Sequence, residues 1–295
     1  MSNDEQTAHS STSSSYLGPY EIGPLIGEGG MARVFEGTHR HHGGLAAIKF
    51  PKGSPWAFDR FRQEIEALER LDHPHVMPVL EVDRLQGWYA MPRAFYSFRD
   101  LRQRDPFAWH RLPKVLGSVS GAMMHAHSLG CIHRDASPDN VMSLPNGHWV
   151  LSDFGIAQLR GPGRPRTETG ALIGTPDFTA PEVRHEPSRV TAAADAWSIG
   201  ALARWFTSIH KSQEPTSLAG RFWWGLIDGT MRLDPDHRWT LPQIAAHLNA
   251  PPVRLAAVPV TARLDASAEQ CARCRNSTNR DAVGRCSSCG YMSED

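Results

Sequence analysis

The side chains that this sequence has little of limit what it can do. Its 295 residues include 31 basic and 31 acidic side chains, which leaves no net charge, and lysine occurs only at Lys49, Lys52, Lys114 and Lys211. A chain of this balance is not expected to bind nucleic acid or a membrane surface. No apolar run approaches the ~20 residues that cross a bilayer, and the N-terminal residues lack the apolar stretch of a signal peptide. We therefore expect the protein in the cytoplasm.

Composition divides the chain into four segments. Residues 1–16 are rich in Ser and Thr, have almost no large apolar residues and are expected to be disordered. Residues 17–249 carry apolar residues throughout, enough to bury a substantial core. Residues 250–269 are rich in Pro and Ala and are predicted to be a linker, whereas residues 270–290 contain four of the five cysteines and form a separate module.

The apolar pattern predicts a β-rich first half and a helical second half of the large segment. Strands are predicted for YEIGPLIGEGG, ARVFEGTH, LAAIKF, VMPVLEV and WYAMP. A helix within WAFDRFRQEIEALERLD follows from the spacing of its apolar residues, which are Phe58, Phe61, Ile65, Leu68 and Leu71. Later helices are predicted within FAWHRLPKVLGSVSGAMMHAHSLG, AAADAWSIGALARWFTS and LPQIAAHL. The fold class is therefore α+β, with a small β-rich lobe before a larger helical lobe.

A glycine cluster and one lysine indicate phosphate binding. Gly27, Gly29 and Gly30 lie between two strands, where residues without side chains would let the backbone approach phosphates. An ordinary glycine turn explains the cluster equally well when it is taken alone. Lys49 ends an apolar strand, and Glu64 on the next helix could pair with it and hold its ammonium against nucleotide phosphates. The alternative for this lysine is a solvated strand end.

Two short motifs carry the groups that phosphoryl transfer needs. In HRDASPDN, at 133–140, Asp135 could accept the proton of a substrate hydroxyl, and Asn140 could hold a metal ion beside it. In SDFG, at 152–155, Asp153 would chelate magnesium that bridges the phosphates. Each motif alone has a plain loop explanation, but their order and spacing leave little room for chance.

These motifs resemble those of eukaryotic-type protein kinases, and of bacterial serine/threonine kinases in particular, over residues 19–249. The resemblance implies a bilobal kinase fold, a Mg²⁺ or Mn²⁺ ion held by Asn140 and Asp153, and catalytic roles for Lys49, Asp135 and Asn140. It also implies protein substrates that carry Ser or Thr. The residues that match the family's ATP site are Ile26, Gly27, Gly29, Gly30, Val34, Ala47, Lys49, Glu64 and Met91, the last as gatekeeper before a hinge at 92–94.

Further matches lie in the helical half. GTPDFTAPE, at 174–182, resembles the segment that receives the substrate, with Thr175 as its threonine and Phe178 where tyrosine is usual. The resemblance implies two structural matches: a buried ion pair between Glu182 and Arg238, and an anchoring helix that contains Asp195 and Gly200.

The loop before that segment is expected to be regulatory. Thr167 and Thr169 lie in QLRGPGRPRTETGALIG, at the positions where bacterial relatives phosphorylate themselves. A phosphate on either threonine could pair with Arg134 and order the loop. The alternative is that both are ordinary loop threonines.

Two departures from the family pattern keep a second function class open. Ser137 stands where serine/threonine kinases usually carry a lysine that steadies the γ-phosphate, so we expect a slower enzyme. Only IHKSQEPTSLAG separates ARWFTS from RFWWG, so one helix of the large lobe is expected to be shortened or absent. The alternative function is a weakly active or inactive kinase-shaped scaffold that binds partners through its C-terminal module. A small-molecule phosphotransferase is a more distant alternative, which GTPDFTAPE disfavours.

The C-terminal cysteines predict a structural zinc site. Cys271, Cys274, Cys286 and Cys289 form two CxxC pairs separated by eleven residues, which can place four thiolates around one Zn²⁺. Two disulfides are the alternative, disfavoured in a chain without an export signal. The segment resembles a zinc ribbon and could bind a protein partner, nucleic acid or the kinase region itself, although its arginines are too few to predict nucleic-acid binding. Cys131 is predicted to be a core residue.

Overall fold

The computed structural model describes residues 16–29, 32–53, 55–154, 158–159, 175–185, 190–209 and 215–250. Several predicted features lie outside these residues: Gly30, Thr167, Thr169, residues 1–15, most of the linker and the four predicted zinc ligands. None of the helices within the described ranges combines the length and the apolar character that crossing a membrane requires.

The first half forms a curled antiparallel sheet with one helix against it. Its six strands, in the order β1-β2-β3-β4-β6-β5, are β1 (Tyr16–Leu17), β2 (Tyr20–Glu28), β3 (Ala32–His39), β4 (Leu45–Pro51), β5 (Glu81–Asp83) and β6 (Trp88–Pro92). Helix α1 (Pro55–Leu68) buries Phe61, Ile65 and Leu68, which recur every three or four residues along one face. The register of the sheet sets Lys49 opposite Val34 on one side and Tyr89 on the other.

The second half is mainly helical. Its helices are α2 (Phe98–Arg104), α3 (Leu112–Ser128), α4 (Pro181–His185), α5 (Ala193–Thr207), α6 (Leu218–Thr230) and α7 (Leu241–Asn249). Short antiparallel pairs lie between the helices and the sheet: β7 (Tyr96–Ser97), β9 (Val141–Ser143) and β10 (Trp149–Leu151) in one sheet, and β8 (Cys131–Ile132) with β11 (Gln158–Leu159) in another. Single 3-10 turns occur at Trp109–Arg111 and Pro235–His237.

Helix ends follow local sequence signals. Ser97 begins α2 with a capping box, in which its side chain and that of Asp100 each accept the other's backbone N–H. After α3, Gly130 takes a positive φ of 73° at the position predicted to end the helix. Both helix ends lie close to the loop at 133–140: α2 begins beside it, and α3 leads through β8 into it.

One apolar core extends through both halves. It joins Ala47 and Phe61 in the sheet lobe to Leu116 in α3 and Ile199 in α5, all of them buried. The segment after α1 also ties the lobes together, because Leu151 N–H donates to the His75 carbonyl at 2.8 Å and Met77 N–H donates to the Leu151 carbonyl at 2.9 Å. Since β10 leads directly to Asp153, this connection fixes the metal-binding motif relative to α1.

The structure corrects two predicted boundaries. The strand predicted for VMPVLEV is mostly wrong: only Glu81–Asp83 pairs as a strand, apart from a single bridge at Val76, because Pro78 has no N–H to donate. Tyr16, assigned to the disordered N-terminus, instead pairs with Glu21 in the first strand. Between α5 and α6, where a helix was expected to be shortened or absent, the structure describes residues 208–209 and 215–217.

Candidate active site

The predicted lysine, glutamate and metal-binding aspartate meet in the cleft between the lobes. Lys49 Nζ lies 2.6 Å from Glu64 Oε1 and 3.3 Å from Asp153 Oδ1. Lys49 and Glu64 are only 8% and 3% exposed, which rules out the alternative of a solvated strand end. Burial disfavours the ammonium, but Asp153 and Glu64 together outweigh it, so the pKa of Lys49 lies well above its ordinary value. The lysine is therefore a fixed positive charge in this cleft.

A fourth member of this cluster, Tyr89, was not predicted from the sequence. Its hydroxyl donates to Glu64 Oε1 at 2.8 Å, and its ring is 1% exposed. Burial raises the pKa of Tyr89 well above its ordinary value, and the Glu64 carboxylate adds to this, so the phenol keeps its proton. Tyr89 belongs to the predicted strand WYAMP, but its position opposite Lys49 depends on the register of the two strands, which the sequence does not show.

A buried aspartate holds the backbone of the predicted catalytic loop in place. Asp195 on α5 accepts backbone N–H groups from His133 at 2.9 Å and from Arg134 at 2.8 Å, and His127 Nε2 lies 2.7 Å from it. Burial alone would raise the pKa of Asp195, but these donors outweigh burial and lower it. Arg134 has a φ of 72°, an unusual conformation for a side chain of this size, which the two hydrogen bonds to Asp195 hold in place.

Asp135 is fixed on both sides. The backbone N–H of Thr175 donates to Asp135 Oδ1 at 2.8 Å, and the Asn140 amide nitrogen donates to the Asp135 carbonyl at 2.9 Å. Burial raises the pKa of Asp135 above its ordinary value, although the hydrogen bond from Thr175 works the other way. Because the Asn140 nitrogen is used in this bond, its amide oxygen remains as the acceptor.

The two motifs are locked together by their neighbours. The ring of His133 packs edge-on against Phe154, with centroids 4.6 Å apart, and His133 Nε2 lies 3.0 Å from the Ser152 carbonyl. Ser152 N–H in turn donates to the Asn140 carbonyl at 2.8 Å. Asp153 has a φ of 63°, while its side chain remains 45% exposed. The carboxylate is thus both held by Lys49 and open to the cleft.

Four of the residues predicted to surround a nucleotide belong to one apolar cluster. Ala47 and Met91 are buried, and Ile26 and Val34 pack against the same core. A Cβ added to Gly27 would meet no atom closer than 3.6 Å, so packing within the chain does not demand glycine there.

The hinge after Met91 offers one backbone donor. The Ala94 carbonyl already accepts a hydrogen bond from Arg93 Nη1 at 2.9 Å. Arg93 is itself held by Glu36 at 3.3 Å. The Ala94 N–H, by contrast, has no partner among the described residues, so it is the hinge group that can meet a ligand.

Comparison with known proteins places this architecture in a family. The model of the protein kinase domain matches residues 20–217. This chain belongs to the protein kinase family. The match covers the small lobe and the large lobe as far as the start of α6, and it contains Lys49, Glu64, Asp135, Asn140 and Asp153.

Similar kinases occur in bacteria and plants. The serine/threonine-protein kinase PknK of Mycobacterium tuberculosis is 39% identical over 165 residues, which cover 54% of this chain and 15% of the relative. PknD of the same species is 31% identical over 197 residues, 64% of this chain and 29% of the relative. The CBL-interacting protein kinase 4 of Oryza sativa is 32% identical over 197 residues, 63% of this chain and 43% of the relative. The kinase chain thus spans less than half the length of these relatives.

The large lobe of the kinase contains the ion pair that the resemblance implied. Arg238 Nη1 and Nη2 donate to the two carboxylate oxygens of Glu182 at 2.6 and 2.8 Å. The guanidinium also donates to three backbone carbonyls, at Arg232, Ala193 and Leu233. The implied need for Gly200 has a packing cause, because a Cβ there would lie 1.9 Å from Thr230 Oγ1.

The structure also describes the surroundings of Cys131 and Ser137. Cys131 is fully buried, as predicted, and burial raises its pKa to about 12, so it is not a reactive thiol. Ser137 is 2% exposed and lies directly under the cleft, where its carbonyl accepts the Asn140 N–H at 3.0 Å.

Proposed function

We propose that this chain is a serine/threonine protein kinase, which transfers the γ-phosphoryl group of Mg-ATP to hydroxyl groups of proteins. The observation that carries the proposal is the position of the Lys49 ammonium, within 3.3 Å of carboxylate oxygens of both Glu64 and Asp153, together with an Asp135 that Asn140 and Thr175 hold in place. A phosphoryl transfer site needs a cation for the phosphates, oxygen ligands for a metal and a carboxylate for the hydroxyl. All three lie in one cleft.

Each side chain has a separate task in this proposal. Lys49, oriented by Glu64 and Tyr89, binds the α- and β-phosphates of ATP. Asp135 orients the substrate hydroxyl and accepts its proton as the oxygen attacks the γ-phosphorus, and the bond to the β-phosphate oxygen breaks. The backbone of the glycine turn at Gly27 and Gly29 covers the phosphates, and Ala94 N–H binds the adenine edge.

The metal ligands fit a hard divalent cation. The Asp153 carboxylate and the Asn140 amide oxygen are oxygen donors of the kind that Mg²⁺ and Mn²⁺ prefer, and the Asp153 side chain is 45% exposed toward the cleft. Such an ion would neutralise charge on the β- and γ-phosphates.

The alternative of an inactive scaffold is not favoured. A scaffold would not need Lys49, Glu64, Asp135, Asn140 and Asp153, yet all five are present, with Lys49 in contact with Glu64 and Asp153 and with Asn140 bonded to the Asp135 carbonyl. Ser137, the main argument for that alternative, removes one cation but leaves Asp135 and its two hydrogen bonds unchanged.

Two regulatory features belong to the proposal. Phosphorylation of Thr167 or Thr169 would add a dianion that can pair with Arg134 and order the loop before Thr175. The predicted zinc ribbon at Cys271, Cys274, Cys286 and Cys289 would form a separate module that binds a protein partner.

The test is ATP-dependent labelling of a generic protein substrate by the full chain, with magnesium or manganese. Asp135→Asn should keep the fold and ATP binding and lose phosphoryl transfer, because the group that accepts the hydroxyl proton is gone. Lys49→Ala should also lose most of the transfer. If both variants label as fast as the parent, the proposed function is wrong.

Two control variants remove a charge of the same kind from residues outside the proposed active site. Lys114→Ala removes a lysine on α3 that contacts only the Gly147 carbonyl, at 3.4 Å. Asp83→Asn keeps the oxygen that accepts the N–H groups of Leu85 and Gln86. Both controls should label at the rate of the parent, and mass spectrometry of the products should locate phosphate on Ser or Thr.

A further inference from the structure

Beside the catalytic loop, two arginines of α2 surround one tryptophan of α5. The Arg102 guanidinium lies 4.5 Å from the centre of the Trp205 ring, and that of Arg99 lies 5.6 Å from it. Arg102 Nη2 also donates to Ser208 Oγ at 3.0 Å. These contacts fix both side chains, and we name Arg99, Arg102 and Trp205 the arginine–tryptophan cluster.

The cluster connects to Asp135 by two routes. Along the catalytic loop, Arg99 forms a two-pronged ion pair with Asp139, four residues after Asp135, at 2.6 and 2.7 Å. Along the segment after the loop, Thr175 donates to Asp135, and Phe178 packs on Trp205 with centroids 6.1 Å apart. The cluster therefore contacts both the loop that carries Asp135 and the segment at 175–178 that donates to Asp135.

One guanidinium of the arginine–tryptophan cluster lacks a carboxylate partner among the described residues. Asp139 is neutralised by Arg99, and the Asp100 carboxylate accepts both the N–H and the hydroxyl of Ser97. Arg102 makes no ion pair with a carboxylate among the described residues, because its partners are a ring and a hydroxyl. The Arg102 guanidinium is thus held in place and keeps N–H groups that can donate to a ligand, and the Arg99 guanidinium lies beside it, paired with Asp139.

We propose that the arginine–tryptophan cluster selects substrates, and that it binds an acidic side chain, either a carboxylate or a phosphate, near the phosphorylated residue of a protein substrate. This inference rests on the proposed function. An extended peptide advances roughly 3.3 Å per residue, so the acidic side chain belongs to a residue other than the phosphorylated one in the same peptide. A fork of guanidinium N–H groups matches the two oxygens of a carboxylate or the oxygens of a phosphate.

Binding of labelled peptides to the full chain tests the inference without relying on catalysis. The probes are a short peptide with one threonine flanked by aspartates, the same peptide with asparagines, and a version with phosphoserine in place of one aspartate. We expect the aspartate and phosphoserine peptides to bind about fivefold more tightly than the asparagine peptide at low salt, with the difference shrinking as salt is added. Equal affinity of all three peptides would overturn the inference.

Variants identify the residues responsible. Arg102→Gln should remove most of the preference for acidic peptides, whereas Asp139→Asn should strengthen it, because Arg99 then loses its internal anion. Arg104→Gln is the matched control, since it removes the same charge from the same helix but lies over Tyr96, 5.0 Å away, rather than over Trp205. A preference that survives Arg102→Gln and falls with Arg104→Gln would contradict the assignment.

Kinetics separate this inference from the proposed function. In phosphorylation assays, Arg102→Gln should raise the KM of the aspartate peptide, leave its kcat unchanged and leave the asparagine peptide unaffected. Selective binding of acidic peptides without any phosphoryl transfer would refute the proposed function while the binding site stands. A single-stranded oligonucleotide that competes with the acidic peptide and binds more tightly than it does would overturn the assignment to protein substrates.

Discussion

The hydroxyl of Tyr89 offers a sharp test of how the lysine–glutamate pair is stabilised. Tyr89→Phe removes the hydrogen bond of 2.8 Å to Glu64 and keeps the ring, which stacks on Phe61 with centroids 5.4 Å apart. Because the acceptor is a buried carboxylate, the lost bond should lower the free energy of unfolding by about 2 kcal/mol. For a domain of this size, that loss corresponds to a decrease in Tm of about 4–8 °C.

Urea unfolding followed by tryptophan fluorescence measures this loss, and Tyr96→Phe is its control. The Tyr96 ring packs on Trp149, but its hydroxyl makes no hydrogen bond among the described residues, so its removal should change the free energy of unfolding by less than about 0.5 kcal/mol. ATP-dependent labelling should persist in Tyr89→Phe, since Lys49 still pairs with Glu64. If Tyr89→Phe is as stable as the parent, or no less stable than Tyr96→Phe, the hydroxyl does not support Glu64 and the reasoning is refuted.

Four further outcomes are expected. Ser137→Lys should raise the turnover number or leave it unchanged with little effect on ATP affinity, because it restores a cation beside the γ-phosphate; a collapse of activity in steady-state assays would show that Ser137 belongs to a different arrangement. Burial raises the pKa of Asp135 above the ordinary carboxyl value of 3.8, and only the ionised carboxylate accepts a proton. As the pH is lowered, turnover should therefore be lost at a pH above 3.8, while circular dichroism shows that the chain is still folded. Loss of turnover only at or below pH 3.8 would contradict the assignment of Asp135. Glu182→Gln should lower the free energy of unfolding in urea by about 3 kcal/mol, because the fully buried Arg238 guanidinium loses its counter-charge, whereas Glu69→Gln in the exposed pair with Arg84 should cost less than about 1 kcal/mol. Metal analysis should find about one zinc per chain and none after removal of residues 268–295, while labelling of a generic substrate survives; zinc retained by the shortened chain would mean that the ligands lie elsewhere.

Secondary structure was predictable where side chains repeat with a clear period. Strands β3 and β4 and helix α1 were expected within a few residues of their observed bounds, because alternation and the three-to-four residue spacing reflect local geometry. The strand predicted for VMPVLEV was mostly wrong, since only Glu81–Asp83 pairs as a strand and Val76 forms a single bridge. The Val76 and Met77 side chains are each 2% exposed without lying in a regular strand.

The chemistry of the site was already present in the sequence. Phosphoryl transfer requires a particular cation, carboxylates and an amide, and these occur in fixed local motifs around Lys49, Asp135, Asn140 and Asp153, so their order along the chain indicated the family. The same identification was supported by Gly27, Gly29 and the segment at 174–182, because their roles depend on the local shape of the backbone.

Only the tertiary structure decided which distant residues meet. Tyr89 joins Glu64 because β6 pairs with β4, Arg99 and Arg102 meet Trp205 because α2 crosses the end of α5, and Gly200 is required because Thr230 packs directly against it. Such contacts depend on the register and packing of elements far apart in the chain, and no local spacing encodes them. The sequence by itself therefore determined what chemistry this protein can attempt, and the packing of its helices and strands decided how the lysine is held and which charges border the substrate.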